Sequence, residues 1–312
     1  MTTIRVAHAD EIPALVRYPD DAERSAGTAA YLTDLLAKRC TRPEWCLVAE
    51  EDGHLVGSVV LWGMPGHEVP GDVVLLEAPW DDETDPAVGL ALLAEAATLA
   101  RTLGATELGH VVDSPAQAPQ FQRHPEQRGE LLRRAGFTVA RDGRRFRWVA
   151  GGELPAQDGR LRFRSLAELG REPFVDLLET LLGDTADARL TEDVRRHGLR
   201  RAAELLFEET AELRHEPQWW EIGYAADGSP AVVSLPAHNP AFPVIGFVGV
   251  APAHRGRGYS SSVVARGTAI LAENGATEIR GDCDVRNVAM FRGFQRAGYD
   301  NFANRMEYVR PL

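Results

Sequence analysis

A short basic glycine loop follows an apolar run late in the chain. The run Val244–Val250 is rich in β-branched residues and predicts a buried strand. After an Ala-Pro-Ala turn comes His-Arg-Gly-Arg-Gly at positions 254–258, and a helix-like segment begins at Tyr259. Glycines let a backbone approach an anion closely, and the first amides of a helix lack intrahelical partners. This order predicts a phosphate site, to which the two arginines add charge-assisted donors.

The details of this loop separate it from other phosphate-binding motifs. A Walker A loop requires a Lys-Ser or Lys-Thr pair after its glycines, and none follows here. A dinucleotide fingerprint requires a third glycine where this chain has Ser261. The segment Arg255–Ser260 instead resembles the acetyl-CoA signature R-x-x-G-x-[GA] of the GCN5-related N-acetyltransferases (GNATs). Five of the six places match, and Ser260 replaces the last small residue.

A second stretch resembles the same family. Thr277–Val285 predicts a strand, and a helical segment follows it. The family has N-x-x-A, then an aromatic, then G-[FY] at this place, with Met290 here in place of the alanine. The matching positions are Asn287, Met290, Phe294, Gly298 and Tyr299. The resemblance extends over residues 244–309.

The resemblance implies an activity and a set of contacts. The activity would be transfer of an acetyl group from acetyl-CoA, as cosubstrate, to the primary amine of a small molecule. The residues implied to bind the cofactor are Val248, Val250, Arg255, Gly256, Arg257, Gly258, Tyr259, Ser260, Asn287 and Phe294. A surface turn that merely contains arginines and glycines is the structural alternative.

The chain also resembles itself. Leu103–Leu108 is echoed by Asn274–Ile279, and Arg134–Phe137 is echoed by Arg296–Tyr299. A repeat of this length indicates a duplicated domain. We therefore expect an α/β protein of two tandem GNAT-like domains, each a mixed twisted sheet flanked by helices.

The predicted domains cover residues 1–150 and 158–312, and a Gly- and Pro-rich polar segment joins them. The tandem architecture is similar to that of mycothiol synthase, so a thiol-sugar amine is one possible acceptor. The echoes align Trp80–Pro86, which contains four carboxylates, with the basic loop. Because carboxylates repel a pyrophosphate, the first domain is expected to be a degenerate copy without a CoA loop. It would serve as a scaffold or as a wall of the substrate cleft.

Predicted hairpins and helices position the basic loop within its domain. In the second copy, Trp219–Tyr224 and Ala231–Leu235 flank a turn that contains Asp-Gly, and in the first copy Trp45–Glu50 and Leu55–Leu61 flank another. Mostly helical segments, at 17–39 and 173–213, precede these hairpins. In the family such helices line the acceptor pocket.

Acetyl transfer to an amine requires a polarised thioester carbonyl and a base for the amine. The resemblance assigns the first task to backbone amides of a splayed or bulged strand, here at residues 247–250. It places the base five residues before Asn287, at Asp282. Asp284 lies on the same strand face, and two carboxylates this close tend to raise one pKa. Glu221 is a rival base, and a capping or ion-pairing role is the alternative for both aspartates.

The proton donor departs from the family pattern. The usual tyrosine corresponds to Phe294 here, which cannot donate a proton. Tyr259, Tyr299 or Tyr308 would substitute, or the thiolate would leave unaided or take its proton from water. This departure keeps open a second class of function, a non-catalytic acyl-CoA-binding or regulatory protein.

Composition narrows the remaining choices. The formal net charge of −12 argues against nucleic acid as a partner and fits an acidic cleft that attracts a small cationic amine. The sequence contains no apolar run of about eighteen residues, so no membrane span is predicted. The three cysteines lack metal spacing and indicate free thiols in a reducing compartment, and the nine histidines form no metal motif. We expect a cytoplasmic enzyme, monomer or homodimer, without a metal.

Overall fold

The computed structural model describes residues 2–80, 86–151, 154–157, 159–239 and 241–312. The chain divides into two compact units. The first comprises Met1–Ala140 together with Arg305–Leu312, and the second comprises Arg141–Asn304. The segment that the sequence suggests as a join therefore lies inside the second unit, because the strand preceding it pairs within that unit.

Within the described residues, the first unit contains five strands and three α-helices up to Ala140. They are β1 (Thr3–Val6), α1 (Ala22–Ala37), β2 (Cys46–Glu51), β3 (His54–Trp62), β4 (Asp72–Glu77), α2 (Ala87–Thr102), β5 (Glu107–Ser114) and α3 (Pro125–Arg134). Strands β1 to β5 are neighbours in that order. All pairs are antiparallel except β4 and β5, which are parallel.

The second unit follows the same plan with additional helices. Its elements are β6 (Thr138–Val149), which begins in the first unit, then β7 (Arg162–Ser165), α4 (Leu166–Leu169), α5 (Glu172–Leu182), α6 (Ala188–His197), α7 (Leu199–Ala211), β8 (Glu221–Tyr224), β9 (Pro230–His238), β10 (Pro243–Val250), α8 (Tyr259–Glu273), β11 (Glu278–Asp284), α9 (Val288–Arg296) and β12 (Asp300–Pro311). The order is β6-β11-β10-β9-β8-β7, with β10 and β11 parallel. The final residues of β12 belong to the first unit.

Two apolar layers enclose the sheet of the second unit. On one face Ile222 and Val233 pack with α5 and α7, and on the other Ile245 and Ile279 pack with α8 and α9. This alternation follows from the two-residue period of a strand. The mixed α/β fold predicted for each half is confirmed, and the ends of the predicted hairpin strands lie within three residues of those of β2–β3 and β8–β9.

No helix within the described ranges is both long enough and apolar enough to cross a bilayer. The three cysteines are free and buried.

Candidate functional site

The basic loop forms a cradle at the start of α8. A short 3-10 helix, Pro252–His254, ends β10, and Gly256 and Gly258 follow with φ angles of +77° and +82°. Gly258 is the N-cap of α8 and supplies no side-chain cap. No side chain of the N-cap residue therefore accepts from the first amides of α8, which is the arrangement in which a helix start can bind an anion.

His254 fixes the beginning of the cradle. The residue is only 5% exposed. Its Nε2 atom lies 2.9 Å from the Ser229 hydroxyl, in the turn between β8 and β9, and Ser229 donates to Asp227 at 2.5 Å. The histidine therefore anchors the loop to the hairpin.

The arginines around the cradle differ in their partners. Arg255 pairs with the Asp184 carboxylate and donates to the Asp184 carbonyl at 2.7 Å, so an anion must compete for it. Arg257 is exposed, and its nearest acceptor is the Ala253 carbonyl at 3.4 Å. Arg160 donates to the Arg257 carbonyl at 3.1 Å and lies over the Tyr259 ring. Sequence reasoning missed Arg160 because it comes from a distant segment without a motif.

Strand β10 carries a bulge one residue before the stretch 247–250 to which the resemblance assigns it, and β10 parts from β11. Its register against β9 shifts between Ile245 and Phe247, so Gly246 is the extra residue. A Cβ atom at Gly246 would lie 2.7 Å from the Leu235 carbonyl oxygen, and no side chain fits. Among the described residues β10 and β11 pair only at Val244 and Arg280. Beyond that pair the strands part, and alternate amides of residues 247–250 face the gap.

The side chains of Val248 and Val250 line the α8 side of this strand. Both are half-buried and pack in the apolar cluster that includes Tyr259 and Val263. They therefore shape one wall of the gap, whereas any polar contact from β10 has to come from its backbone.

Helix α9 closes against the first turn of α8. A Cβ atom at Gly293 would lie 3.0 Å from three atoms of Ser260, so the two helices approach at this glycine. Asn287 caps α9 by accepting from the Met290 amide at 3.1 Å. These contacts place Ser260 against α9 and give Asn287 a capping role, and the predicted cofactor contact of Asn287 stays a prediction.

Phe294 lies in the core instead. It is 1% exposed, stacks on Phe146 with ring centroids 4.6 Å apart, and meets the edge of Tyr299 at 5.2 Å. Neighbouring rings cover the side chain of Phe294, and its predicted contact with the cofactor stays a prediction. The position reads as aromatic packing and gives no proton donor.

The two aspartates of β11 occupy different environments. Asp282 is 41% exposed at its side chain and lies 3.5 Å from Arg145 Nε. Asp284 is 2% exposed and accepts from the Ala188 amide at 3.0 Å and the Arg286 amide at 2.8 Å. Burial alone would raise the pKa of Asp284, but these hydrogen bonds and Arg286 hold it below its ordinary value. The expectation of a raised pKa is therefore wrong for Asp284. Asp284 is a carboxylate that holds the start of α6 through the Ala188 amide.

Glu221 lies on the other face of the sheet. It is 7% exposed and forms two bonds with Arg266 of α8, at 2.6 Å and 2.7 Å. Its cross-strand partner Ser234 also faces α8. Gly281 and Cys283, the neighbours of Asp282 on β11, face α8 and α9. Because successive residues of a strand point to opposite faces, Asp282 faces away from these two helices. The two rival bases are therefore separated by the sheet.

The substitute tyrosines are separated as well. The Tyr299 hydroxyl lies 2.7 Å from Thr268 Oγ1, and burial raises the pKa of this tyrosine. Tyr308 belongs to the core of the first unit. Of the three, only Tyr259 lies at the cradle, and it is 7% exposed.

The first unit has a bulge and a splay at the aligned place, but its own side chains occupy them. Among the described residues β4 and β5 pair only at Asp72 and Gly109, and the register of β4 shifts near Leu75. The Leu75 amide donates to Gln120 Oε1 at 3.3 Å. Gln122 donates to the same oxygen and lies 3.4 Å from His110 Nε2. The acidic replacement predicted at Asp81–Asp85 lies outside the described residues.

Comparison with known proteins identifies the fold. No protein-family model and no curated protein sequence matches the chain. A GNAT from Sphaerobacter thermophilus superposes with a TM-score of 0.63 and 15% identity, over 99% of this chain and 95% of that one. The glucosamine N-acetyltransferase region of a fungal multi-domain GH3 β-N-acetylglucosaminidase superposes with a TM-score of 0.56 and 15% identity, over 99% of this chain and 38% of that one. A tandem GNAT protein from the clavulanic acid biosynthesis pathway superposes with a TM-score of 0.49 and 15% identity, over 100% of this chain and 98% of that one.

The chain therefore has the fold of the GCN5-related N-acetyltransferases, as the two motifs predict.

Proposed function

We propose that the chain is an acetyl-CoA-dependent N-acetyltransferase acting on the primary amine of a small molecule. Its active site would lie in the domain predicted at 158–312, and the domain predicted at 1–150 would not bind the cofactor. The observation that carries this proposal is the uncapped start of α8, behind two left-handed glycines and beside the parted strands β10 and β11. The pyrophosphate would meet the amides of residues 256–261, with Arg257 and Arg160 as charged donors.

The remaining groups suggest how the reaction would proceed. The acyl arm would enter the gap, where amides of residues 247–250 would donate to the developing oxyanion. The amine nitrogen attacks the thioester carbon, the N–C bond forms and the C–S bond breaks. Asp282 would accept the amine proton, because it is exposed on the strand that borders the gap. The thiolate would take its proton from water, since Phe294 and Tyr299 are buried.

Binding and turnover test the proposal separately. Calorimetric titration with CoA is expected to give one site per chain, and two equivalent sites would contradict the degenerate role of the first domain. Thiol release from acetyl-CoA is then followed across a panel of amines. Binding of CoA without transfer to any amine would favour the non-catalytic acyl-CoA-binding protein.

Asp282→Asn tests the base. We expect turnover to fall about a hundredfold to ten-thousandfold while the Kd for CoA is unchanged, because the amide keeps the size of the side chain but cannot take the proton. Asp300→Asn, at another exposed aspartate of the same unit, is the matched control. Near-normal turnover of Asp282→Asn across pH would remove this residue from the mechanism.

A further inference from the structure

Three arginines converge on one phenyl ring in the second unit. The guanidinium carbons of Arg145, Arg147 and Arg280 lie 5.2 Å, 5.7 Å and 5.2 Å from the centroid of the Phe302 ring. Arg280 also lies 3.5 Å from the centroid of Phe242. We call these three arginines the arginine cluster.

The arginine cluster lies beside the point where β10 and β11 part, on the sheet face opposite α8 and α9. In the β6–β11 register Arg280 is opposite Arg147, and Asp282 is opposite Arg145. Cross-strand partners share a face, so all four side chains project on the side away from α8 and α9. Arg280 is also the last residue of β11 that pairs with β10. The cluster therefore borders the same gap as Asp282.

The local charge is positive in an acidic chain. Two carboxylates balance part of the cluster, because Glu278 lies 2.7 Å from Arg280 and Asp282 lies 3.5 Å from Arg145. Three guanidinium groups and two carboxylates leave one positive charge, although the whole chain carries −12. Arg147 is exposed, and all three guanidinium groups lie within 5.7 Å of the centroid of the Phe302 ring. Planar guanidinium groups on an aromatic support suit a carboxylate or a phosphate.

We propose that the acceptor carries an anionic group in addition to its amine, and that the arginine cluster binds this group. The inference rests on the proposed function. Residues two apart on one strand face are about 7 Å apart, so an anion at Arg280 leaves the amine within reach of Asp282. Small molecules that carry both groups, such as amino acids and amino sugar phosphates, fit this spacing. This proposal differs from the expectation based on net charge: the acceptor would be zwitterionic or anionic and not simply cationic.

Matched acceptor pairs test the inference. Thiol release from acetyl-CoA is measured with glycine against glycinamide and with glucosamine 6-phosphate against glucosamine. We expect kcat/KM to be about tenfold to a hundredfold higher for the anionic member of at least one pair. The pair that shows the preference distinguishes carboxylate from phosphate. A preference for the uncharged partners in both pairs would overturn the inference while leaving the acetyltransferase function intact.

Variants show whether the arginine cluster is the cause. Arg147→Gln should raise KM for the anionic acceptor about tenfold, with kcat and the uncharged acceptor little changed, and Arg147→Lys should recover part of the loss. Arg144→Gln is the matched control, because Arg144 lies three residues before Arg147 on β6, projects on the other face and pairs with Asp142. Equal effects of Arg147→Gln and Arg144→Gln would overturn the inference.

A binding measurement separates this inference from the proposed function. Calorimetry with glucosamine 6-phosphate and with glucosamine, each in the presence of CoA, does not depend on turnover. Tighter binding of the phosphate that Arg147→Gln removes, without acetyl transfer, would support the anion site and count against the enzyme. Equal binding of the two sugars together with equal binding of glycine and glycinamide would overturn the anion site whatever the turnover.

Discussion

Glu221→Gln distinguishes a structural carboxylate from a catalytic one. Glu221 is nearly buried, and both of its oxygens are bonded to Arg266, whose side chain is 31% exposed. The same bonds raise the pKa of Arg266. The arginine stays charged when its partner is lost, because a guanidinium group keeps its proton in proteins. A glutamine keeps one acceptor and removes the charge. The substitution therefore leaves a half-buried guanidinium without its counter-charge.

The expected cost lies between two known limits. Breaking a buried ion pair costs about 3–5 kcal/mol, whereas an exposed pair is worth about 0.2–1 kcal/mol. Because Arg266 retains some contact with water, we expect about 1–3 kcal/mol. A change of this size lowers the Tm of a unit of this length by about 2–4 °C per kcal/mol. We therefore expect Tm to fall by about 2–12 °C.

Thermal unfolding and thiol release are measured on the same samples. Glu192→Gln is the control, because Glu192 is exposed and pairs with two arginines on α6, and it should change Tm by less than about 2 °C. The double variant Glu221→Gln/Arg266→Gln should recover part of the loss, since it removes both charges. A Tm within about 1 °C of the parent together with a hundredfold loss of kcat would refute the structural role and make Glu221 the base.

Three further predictions concern the cradle and the first unit. Gly258→Asp should weaken CoA binding at least about a hundredfold in a folded protein, because a carboxylate there would repel the pyrophosphate. The affinity is measured by calorimetry, and an unchanged value would place the phosphate site elsewhere. Asp184→Asn should tighten CoA binding about twofold to fivefold, because it releases Arg255, and weaker binding would contradict this. Burial lowers the pKa of His110 to about 4, so its stabilising contribution is complete above about pH 6.5 and is lost as the pH falls towards 4. Denaturant unfolding should show a loss of up to about 3 kcal/mol over this range, and His110→Gln should flatten it; an equal slope in both proteins would exclude His110.

Local signals were sufficient to predict the fold and the cradle. The glycines at 256 and 258 must adopt positive φ, and this requirement is visible in the residue type. The strand at 243–250 and the hairpins are short-range patterns of β-branched residues and turns. The echoes between the halves predicted the shared α/β plan without any contact information.

Side-chain environments could not be predicted in the same way. Phe294 matched a family position, but whether its ring faces a ligand or Phe146 depends on a strand far away in the sequence. Asp282 and Asp284 are equivalent by spacing, yet the amide of Ala188 from a distant helix makes one of them a buried acceptor. Arg160 reaches the cradle through tertiary packing alone.

The two units differ most in what occupies the gap between their parallel strands. In the first unit Gln120 takes the Leu75 amide at the bulge, and His110 and Gln122 fill the space behind it. In the second unit the corresponding position is Gly246, and among the described residues no side chain accepts a hydrogen bond from its amide. A ligand entering the first unit would have to displace a hydrogen-bonded network, and each buried polar group left unpaired costs about 1–3 kcal/mol. The degenerate role proposed for the first copy therefore has a support that is independent of its acidic segment at 81–85. Introducing glycines into that segment alone should not create CoA binding in the first copy, because the gap would remain filled.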